Sequence, residues 1–357
     1  MSLPLCLAAA TLILWIGLAL VVPRGVRRLR WLGQLDAPAP AAWPRVSLIV
    51  AARNEAATLG TAVPTMLALD YPALEIIAVN DRSDDDTGPL LERLAAAHPR
   101  LRVVHVTALP PGWIGKNHAL QRGADAATGE FLLFTDADIH FAPDALRRAV
   151  AHAEAQALDL LAAVPRLSSR GHLLGICVNA FCFAFLAGLQ PWRIPLPHSR
   201  AHGSVGAFQL VRAAAYRCLG GHEPIRLRPD DDIKLGKLFK TRGARCEMLL
   251  GAGALAVDWY HNVPQMVHGL TKNANAGADY RPWVPPLGAV ITGVAYVWPL
   301  AALVLTSGLA WWLNAGAVVL MLALGWDTAR FAGGRRWHRS EERRVGKECR
   351  SRWSPYH

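Results

Sequence analysis

Phe131-Leu132-Leu133-Phe134-Thr135-Asp136-Ala137-Asp138 is an apolar run of strand length that ends in two carboxylates. A short run of this kind predicts a buried strand. Asp136 and Asp138 stand two positions apart just after it, so both can point toward one hard cation. Mg2+ and Mn2+ are held in this way, by a few carboxylates together with phosphate oxygens of a substrate. Taken alone, the pair is equally compatible with a turn that carries two solvated aspartates.

On both sides of this stretch, short apolar runs alternate with helix-like stretches. The predicted strands are Val46–Ala52, Glu75–Val79, Leu101–Val106, Phe131–Phe134 and Leu158–Val164. The predicted helices are Glu55–Leu69, Asp86–Ala97, Asn117–Ala127 and Pro143–Ala155. Such alternation predicts an α/β fold, with a Rossmann-like, mostly parallel sheet covered by helices on both faces. Ligands of these sheets bind at the carboxyl ends of the strands, so the polar residues that follow each strand are the site candidates.

Polar residues follow the first two strands directly. The first strand leads into Ala52-Arg53-Asn54-Glu55 and the second into Asn80-Asp81-Arg82-Ser83-Asp84-Asp85-Asp86. A carboxylate in the second group can accept a hydrogen bond from an N–H group of a nucleotide base. The alternative is that Asn54, Glu55, Ser83 and Asp84 cap the helices that follow.

A glycine-containing segment, Gly112-Trp113-Ile114-Gly115-Lys116-Asn117, opens the third predicted helix. Glycine lets a ligand approach the backbone closely, and Lys116 can meet a phosphate near the helix N-terminus. The segment is not a Walker loop, because its spacing and the preceding strand are wrong for one.

Three adjacent carboxylates, Asp230-Asp231-Asp232, precede Ile233-Lys234-Leu235. Their mutual repulsion raises the proton affinity of at least one of them, and a basic carboxylate is what the deprotonation of a hydroxyl group needs. The alternative is an acidic helix start that the helix dipole stabilises. We expect Asp230 to start the helix and to have no chemical role.

Long apolar segments flank this α/β region. Leu3–Val22 is followed by several arginines, which predicts an uncleaved transmembrane anchor over residues 1–23 with its C-terminal side in the cytosol. Residues 24–44 are a basic flank and linker, Val284–Leu305 and Leu309–Leu324 predict two transmembrane helices within residues 284–326, and residues 327–338 form a basic cytosolic flank. Leu173–Leu189 is nearly long enough to span a bilayer, but a crossing there would put the two acidic groups on opposite sides. We therefore expect residues 171–192 to be a core or membrane-interface segment of a cytosolic catalytic domain at residues 45–283.

The overall charge fits a membrane protein. The chain has 357 residues, of which 52% are hydrophobic, and a formal net charge of +11. Positive charge on the cytosolic flanks explains this excess, and no arginine-rich helix, zinc spacing or aromatic RNA-binding signature predicts a nucleic-acid partner. Residues 339–357 resemble, along their whole length, the translation of a common sequencing adapter; the alternative is a genuine basic tail. We expect this tail to be an artefact and leave it out of the fold prediction.

Together, the five polar motifs resemble, in their order and position, the family 2 glycosyltransferases, whose catalytic domain has the GT-A fold. Within that family the chain is most similar to membrane-bound bacterial enzymes that act on carotenoid or hopanoid-type lipids, over roughly residues 44 to 283 and the membrane flanks. On the donor side the resemblance implies nucleotide-sugar contacts for Ala51, Arg53, Glu55, Asp81, Lys116, Asp136 and Lys272. It implies a metal site at Asp138 with Asp136, a catalytic base at Asp232 preceded by Asp231, and an acceptor-side segment that ends in Gly220, Gly221 and His222.

The chain departs from the family pattern at one of these motifs. Two aspartates and a glycine are usual after the second strand, whereas this chain has Asn80, Asp81 and Arg82, which puts the local turn geometry in question. The Gln-x-x-Arg-Trp motif of processive polysaccharide synthases is absent, which favours the transfer of one sugar. A dinucleotide oxidoreductase is disfavoured because no Gly-x-Gly-x-x-Gly follows the first strand.

The resemblance implies a function. We expect an inverting transfer, dependent on Mg2+ or Mn2+, of a sugar from a nucleotide-diphosphate sugar to a lipid-like hydroxyl acceptor. The enzyme would be a multi-pass protein of the inner (cytoplasmic) membrane with a cytosolic catalytic domain and no nucleic-acid partner. Two alternatives stay open: transfer of the sugar to polyprenyl phosphate, and a non-catalytic membrane scaffold with a transferase-like domain.

Overall fold

The computed structural model describes residues 2–169 and 171–332, except for the side chains of residues 272–274, 331 and 332. The tail at residues 339–357 and the second half of the predicted flank at 327–338 lie outside this part of the chain. The strands are β1 (Val46–Ala52), β2 (Leu74–Asp81), β3 (Leu101–Val106), β4 (Phe131–Thr135), β5 (His140–Phe141), β6 (Leu160–Val164), β7 (Arg166–Ser169), β8 (Gln209–Arg212), β9 (Cys246–Leu250) and β10 (Leu255–Tyr260).

The α-helices are α1 (Leu3–Val26), α2 (Ala56–Leu67), α3 (Thr87–Ala97), α4 (Gly115–Ala126), α5 (Ala145–Ala155), α6 (His172–Leu189), α7 (Ala213–Cys218), α8 (Asp231–Thr241), α9 (Val263–Gly277), α10 (Val284–Thr292), α11 (Trp298–Leu305) and α12 (Gly308–Ala332). A π-helical segment, Gly293–Val297, joins α10 to α11 and makes them one continuous apolar helix.

The described strands form a seven-stranded sheet in the order β3-β2-β1-β4-β8-β6-β9 and a three-stranded sheet in the order β5-β10-β7. In the large sheet β8 runs antiparallel to both of its neighbours, while the other pairs are parallel. Alternate residues of β1 face different cores: Leu48 and Val50 pack in one apolar cluster, whereas Ile49 packs in another. The first cluster takes residues from α2, α3 and α5, and the second from α4 and α8, so helices cover both faces. The predicted α/β fold is confirmed.

The element bounds differ from the prediction where side-chain type gives no local signal. Asn80 and Asp81 belong to β2 instead of following it, because the parallel ladder continues through the pairs Asn80 with His105 and Asp81 with Val106. α4 begins at Gly115, two residues earlier than predicted, so Lys116 lies in its first turn. The chain after residue 164 adds strands β7 to β10, for which no prediction was made.

In the described part of the chain, four helical segments are long and apolar enough to cross a membrane: Leu3–Val26, His172–Arg193, Val284–Leu305 and Gly308–Arg330. They pack on one another. Trp15 of α1 donates a hydrogen bond from Nε1 to the Ala295 carbonyl oxygen at 2.9 Å and stacks on Phe183 of α6 at 5.8 Å between ring centroids. Asn179 of α6 donates from Nδ2 to the Gly325 carbonyl oxygen of α12 at 2.9 Å.

Both ends of α6 lead back to the same sheet. β6 precedes this helix and β8 follows it, and the two strands pair directly, with Leu160 opposite Val211 and Ala162 opposite Gln209. β8 in turn pairs with β4, with Phe134 opposite Gln209. The segments on either side of α6 therefore lie side by side in one layer.

Helix α8 approaches the chain before β8 without a side chain between them. A Cβ atom added to Gly236 would overlap the backbone of Gly203, so only glycine allows this contact. Gly236 lies one helical turn after Asp232. The close approach therefore sets where the acidic end of α8 meets the sheet.

Gly236→Ala is expected to lower the free energy of unfolding by about 1–3 kcal/mol, because α8 and the Gly203 backbone must move apart. Gly60→Ala is the control, since an added Cβ on this exposed part of α2 meets no atom within 4 Å. That substitution should be neutral or should stabilise by about 0.5–1 kcal/mol. Thermal unfolding of the full chain in detergent measures both variants. Equal unfolding temperatures would contradict the close packing of α8.

Candidate active site

The candidate site lies at the carboxyl ends of β1, β2 and β4, where the polar motifs meet. Lys116, in the first turn of α4, is its central cation. The Nζ atom of Lys116 lies 2.9 Å from Asp136 Oδ1 and 3.5 Å from Asp231 Oδ1. One ammonium group thus joins the acidic pair after β4 to the acidic start of α8, which is 95 residues further along the chain by the numbering of Asp136 and Asp231.

Neighbouring carboxylates stabilise the positive charge of Lys116. Burial alone would lower the pKa of Lys116, but the carboxylates of Asp136, Asp231 and Asp232 raise it above its ordinary value. The lysine therefore stays protonated throughout the physiological range. Asp138 also acts on Lys116, so four carboxyl groups surround this lysine among the described residues.

Asp231 and Asp232 have different surroundings. Asp231 is only 3% exposed, and its Oδ2 atom has no hydrogen-bond partner within the described residues. Burial raises the pKa of Asp231 to about 7, against the opposing effect of Lys116. Asp232 is half-buried; its Oδ2 accepts from the Gly206 N–H at 3.2 Å and its Oδ1 from the Ile233 N–H at 2.7 Å. Burial also raises the pKa of Asp232. Asp232 is thus the better oriented and the more accessible of the two.

Gly206 lies where the two acidic segments approach each other. A Cβ atom at this position would lie 2.9 Å from Asp136 Oδ2 and 3.2 Å from Lys116 Nζ. Its N–H holds Asp232, and the neighbouring Ser204 donates from Oγ to the Asp232 carbonyl oxygen at 2.5 Å. Neither Gly206 nor Ser204 was predicted as a site residue from the sequence; Gly206 is only the first residue of the predicted acceptor-side segment, and Ser204 lies before it.

The acidic pair after β4 fits a divalent cation. Burial and the nearby Asp136 together raise the pKa of Asp138 to about 6, so a cation between the two carboxylates would stabilise their charged forms. Asp136 is 40% exposed in its side chain and open to a ligand. Among the described residues no group of three or more His, Cys, Asp or Glu side chains is placed to hold a metal. A cation here would complete its coordination with phosphate oxygens and water, as Mg2+ commonly does.

The predicted nucleotide side lies at the ends of β1 and β2. Asp81 is 3% exposed, and both of its oxygens accept from Arg82, Oδ1 from Nε at 2.8 Å and Oδ2 from Nη2 at 2.9 Å. Ala51 lies half-buried in β1, and Arg53 is exposed just beyond it. The Glu55 carboxylate accepts from Thr58 Oγ1 at 2.7 Å and does not cap α2.

Two residues at these strand ends have left-handed backbone. Asn54 has a φ of +56° and Arg82 a φ of +54°, a region that favours glycine. The two turns hold each other: the Asn54 N–H donates to Ser83 Oγ at 3.1 Å, and the Asp84 N–H donates to Asn54 Oδ1 at 2.9 Å. Arg82 therefore adopts the conformation that glycine would adopt in the usual motif. Asn54 and Ser83 tie two strand ends together and do not cap the helices.

The acceptor-side prediction needs a correction at His222. Gly220 and Gly221 have φ of +84° and +63° and form the turn after α7, but the His222 side chain is fully buried. Its Nδ1 atom lies 2.6 Å from Tyr216 Oη, and its ring contacts Phe134 at 5.1 Å. An acceptor cannot reach this ring in the described conformation. His222 instead fixes the turn that carries the two glycines.

Asp230 has the predicted position but partners that were not predicted. It occupies the position before the first residue of α8, as predicted, but its side chain is buried and makes no cap hydrogen bond. Both of its oxygens accept from Arg228 at 2.9 Å, and Lys234 lies 3.5 Å away. Arg228 and Lys234 also pair with Asp279, at 3.0 and 2.5 Å. Asp230 is therefore part of an ionic network that joins α8 to the residues after α9, where its loss would be structural.

Asn117 has a place in the site that the sequence analysis did not assign. Its side chain is fully buried, and Nδ2 donates to the carbonyl oxygens of Ile225 and Arg228 at 2.7 and 2.9 Å. The residue after Lys116 thus fastens α4 to the loop before α8. Lys272, which was predicted to contact the donor, belongs to α9, and its side chain is outside the described part of the chain.

Comparisons with known proteins bear on this arrangement. Residues 47–173 match the model of the family described as Glycosyl transferase family 2. A segment of 110 residues is 38% identical to the beta-monoglucosyldiacylglycerol synthase of Synechocystis sp., and covers 30% of this chain and 22% of that protein. Another of 161 residues is 32% identical to the succinoglycan biosynthesis protein ExoO of Rhizobium meliloti, and covers 45% of this chain and 44% of that protein.

These matches support a family 2 glycosyltransferase, and the family match includes the ends of β1, β2 and β4, Lys116 and the acidic pair after β4. The matched segments span less than half the length of the curated relatives, and the family match ends before Asp231 and Asp232. The mannosyltransferase PcManGT of Pyrobaculum calidifontis, solved in complex with GDP-Man and Mn2+, has a TM-score of 0.59 at 21% identity, over 94% of this chain and 99% of that one. This likeness confirms the predicted GT-A fold.

The buried His222 predicts a loss of stability in mild acid. Burial, with a contribution from Lys116, lowers its pKa from the ordinary 6.5 to about 3. As the pH falls below the ordinary value, the unfolded chain takes up a proton that the folded chain refuses, so stability falls between these two pKa values. The difference amounts to about 2 kcal/mol between pH 7 and pH 5.

His222→Phe keeps a ring against Phe134 and Tyr216 but cannot titrate. Between pH 7 and pH 5 it should lose less stability than the wild type, by up to about 2 kcal/mol. Thermal or denaturant unfolding at the two pH values measures the difference. An equal loss in both proteins would show that His222 is not a buried neutral group.

Proposed function

We propose that the chain is a membrane-bound, metal-dependent glycosyltransferase that moves one sugar, with inversion, from a nucleotide-diphosphate sugar to a lipid-like hydroxyl acceptor. The observation that carries this proposal is the position of Lys116 between Asp136 and Asp231. This contact supports a single cleft that contains both the carboxylate pair proposed for a cation and Asp231, the neighbour of the proposed base Asp232. The family 2 match over residues 47–173 supports the same reaction class.

The donor side has to stabilise a departing nucleoside diphosphate, which gains negative charge as the bond to the sugar breaks. Asp138 and Asp136 would hold the divalent cation, which when bound supplies Lewis-acid stabilisation of that charge. Lys116 adds a fixed positive charge between the two acidic segments. Because its ammonium already touches Asp136, it stands close to where the diphosphate would lie.

The acceptor side has to remove a proton from a hydroxyl group. Asp232 takes this proton, the acceptor oxygen forms a bond to the anomeric carbon, and the bond from that carbon to the phosphate oxygen breaks with its electron pair on the diphosphate. The attack from the face opposite the leaving group inverts the anomeric centre. The N–H groups of Gly206 and Ile233 orient Asp232, and its raised pKa makes it a stronger base than an ordinary aspartate.

The presence of a candidate base, Asp232, favours a hydroxyl acceptor over polyprenyl phosphate. A phosphate is already ionised at neutral pH and attacks without a base, whereas a hydroxyl needs one. The name of the Synechocystis sp. relative, a beta-monoglucosyldiacylglycerol synthase, also supports a lipid hydroxyl. A scaffold without activity is disfavoured because a scaffold has no need of four carboxylates arranged around one lysine.

We also propose that the segments Leu3–Val26, Val284–Leu305 and Gly308–Arg330 cross the inner membrane and that the catalytic domain is cytosolic. The arginines that follow α1 support this orientation. α6 is proposed to lie at the membrane interface, because a single crossing would separate β6 from β8, which pair in one sheet. Its contacts with Trp15 and Gly325 place it against the spanning helices.

The test is transfer from radiolabelled nucleotide-sugars by membranes that contain the full chain, with diacylglycerol and polyprenyl phosphate supplied separately. We expect label in the diacylglycerol product only, and loss of transfer on chelation that Mn2+ or Mg2+ restores. Asp138→Ala should abolish transfer, because it removes a carboxylate of the proposed cation site. Asp144→Ala, which removes an exposed carboxylate at the start of α5, is the control and should be active.

Label in polyprenyl phosphate alone would contradict the hydroxyl acceptor and would show that the enzyme transfers the sugar to a phosphate. Full activity after exhaustive chelation, or in Asp138→Ala, would contradict the metal site. Binding of nucleotide-sugar without transfer to any acceptor would favour the scaffold.

A further inference from the structure

The pair Asp81–Arg82 lies where a nucleotide base is expected, but it presents a different group from the family pattern. Both oxygens of Asp81 accept from the Arg82 guanidinium, and the Asp81 side chain is 4% exposed against 23% for Arg82. A ligand that enters from solvent therefore meets the guanidinium before the carboxylate. The Nη1 group of Arg82 makes no hydrogen bond within the described residues.

The position of Arg82 is fixed from several sides. Its backbone N–H donates to the Val106 carbonyl oxygen of β3 at 3.1 Å, and its φ of +54° turns the chain back at the end of β2. Gly115 closes the other side, because a Cβ atom there would lie 2.5 Å from Asp81 Oδ2 and 2.7 Å from Arg82 Nη2. A left-handed backbone at a residue other than glycine is costly and tends to persist where function requires it.

The same corner contains an aromatic surface and an unpartnered polar atom. The half-buried Trp113 meets the ring of His118 edge to face, with centroids 5.6 Å apart. His118 is buried to 9% exposure, and its Nδ1 atom has no partner within the described residues. Aromatic faces of this kind stack on nucleotide bases, so the corner offers both a stacking surface and hydrogen-bonding groups.

We infer that Arg82, and not Asp81, makes the hydrogen bond to the nucleotide base, so that this site recognises a base carbonyl of uracil or guanine. Asp81 is then a positioning residue that orients the guanidinium and leaves its free N–H groups for the base. This inference rests on the proposed function, because it assumes that the cleft takes a nucleoside diphosphate. It replaces the direct contact of Asp81 with the base that the family resemblance implied.

The experiment measures binding of UDP, GDP and ADP to the full chain in detergent with Mn2+ present. Uracil and guanine carry a carbonyl group at the base edge, and adenine carries none. The wild type should bind UDP or GDP at least about 10-fold more tightly than ADP, the difference expected for one charge-assisted hydrogen bond.

Arg82→Gly is the decisive variant, since glycine suits the left-handed backbone and uncovers Asp81. It should abolish the preference for UDP or GDP while ADP binding changes by less than about 2-fold. Arg93→Ala, which removes an exposed arginine from the neighbouring α3, controls for net charge and should keep the preference. Should Arg82→Gly fail to fold, Arg82→Asn provides the same comparison, because asparagine also tolerates a left-handed backbone and its shorter side chain carries no guanidinium.

A direct contact of Asp81 with the base makes the opposite prediction. Arg82→Gly would then keep or increase the preference, because the carboxylate is uncovered, and that result would overturn the inference. Equal binding of ADP, UDP and GDP by the wild type would overturn it too. A merely structural effect of the substitution would weaken the binding of all three nucleotides alike, and that result would also count against the inference. If the wild type binds none of the three, the proposed function itself fails.

Discussion

The contact of one ammonium group, Lys116 Nζ, with carboxylates of two distant segments is the interaction on which the rest of the site depends. Gly115 and Asn117, the neighbours of Lys116 in the sequence, hold this part of α4 in position. Gly115 packs against Asp81 and Arg82, and Asn117 holds the carbonyl oxygens of Ile225 and Arg228. The first turn of α4 therefore touches the corner for the base, the acidic pair and the loop before α8 with three consecutive residues. A small displacement of this turn would disturb all three regions together.

The topology makes this meeting possible. β8 inserts antiparallel between β4 and β6, and so brings the chain after α6 back to the strand that ends in Asp136. Gly206, just before β8, and Gly236 in α8 permit the remaining close approaches, because neither position has room for a side chain. The long apolar helices contact this arrangement through α6, and the ionic network of Arg228, Asp230 and Asp279 joins α8 to the residues after α9. The polar site and the apolar helices are thus parts of one packed structure.

The sequence was sufficient for the parallel part of the sheet and for the motifs at its edge. β1 and β4 are continuous apolar runs, and the polar residues after them mark where the strands end. The sequence was insufficient where contacts between distant segments determine the position of a residue or helix. α6 has the hydropathy of a membrane span, and its local pattern does not indicate that β6 before it and β8 after it pair in one sheet. Local patterns likewise cannot show that His222 is buried beneath Tyr216, or that Asp230 pairs with Asp279 through Arg228 and Lys234.

The central claim is that Asp232 removes the acceptor proton in a cleft where other residues bind the donor. Asp232→Asn tests it most directly, because the substitution keeps the shape of the side chain and removes the proton acceptor. With donor binding and turnover measured on the same preparation, we predict a fall in kcat of roughly 10²-fold or more with little change in donor Kd. Asp258→Asn, at an exposed position in β10, is the control and should behave as the wild type. Turnover of Asp232→Asn near the wild-type value would contradict the account and would place the base elsewhere.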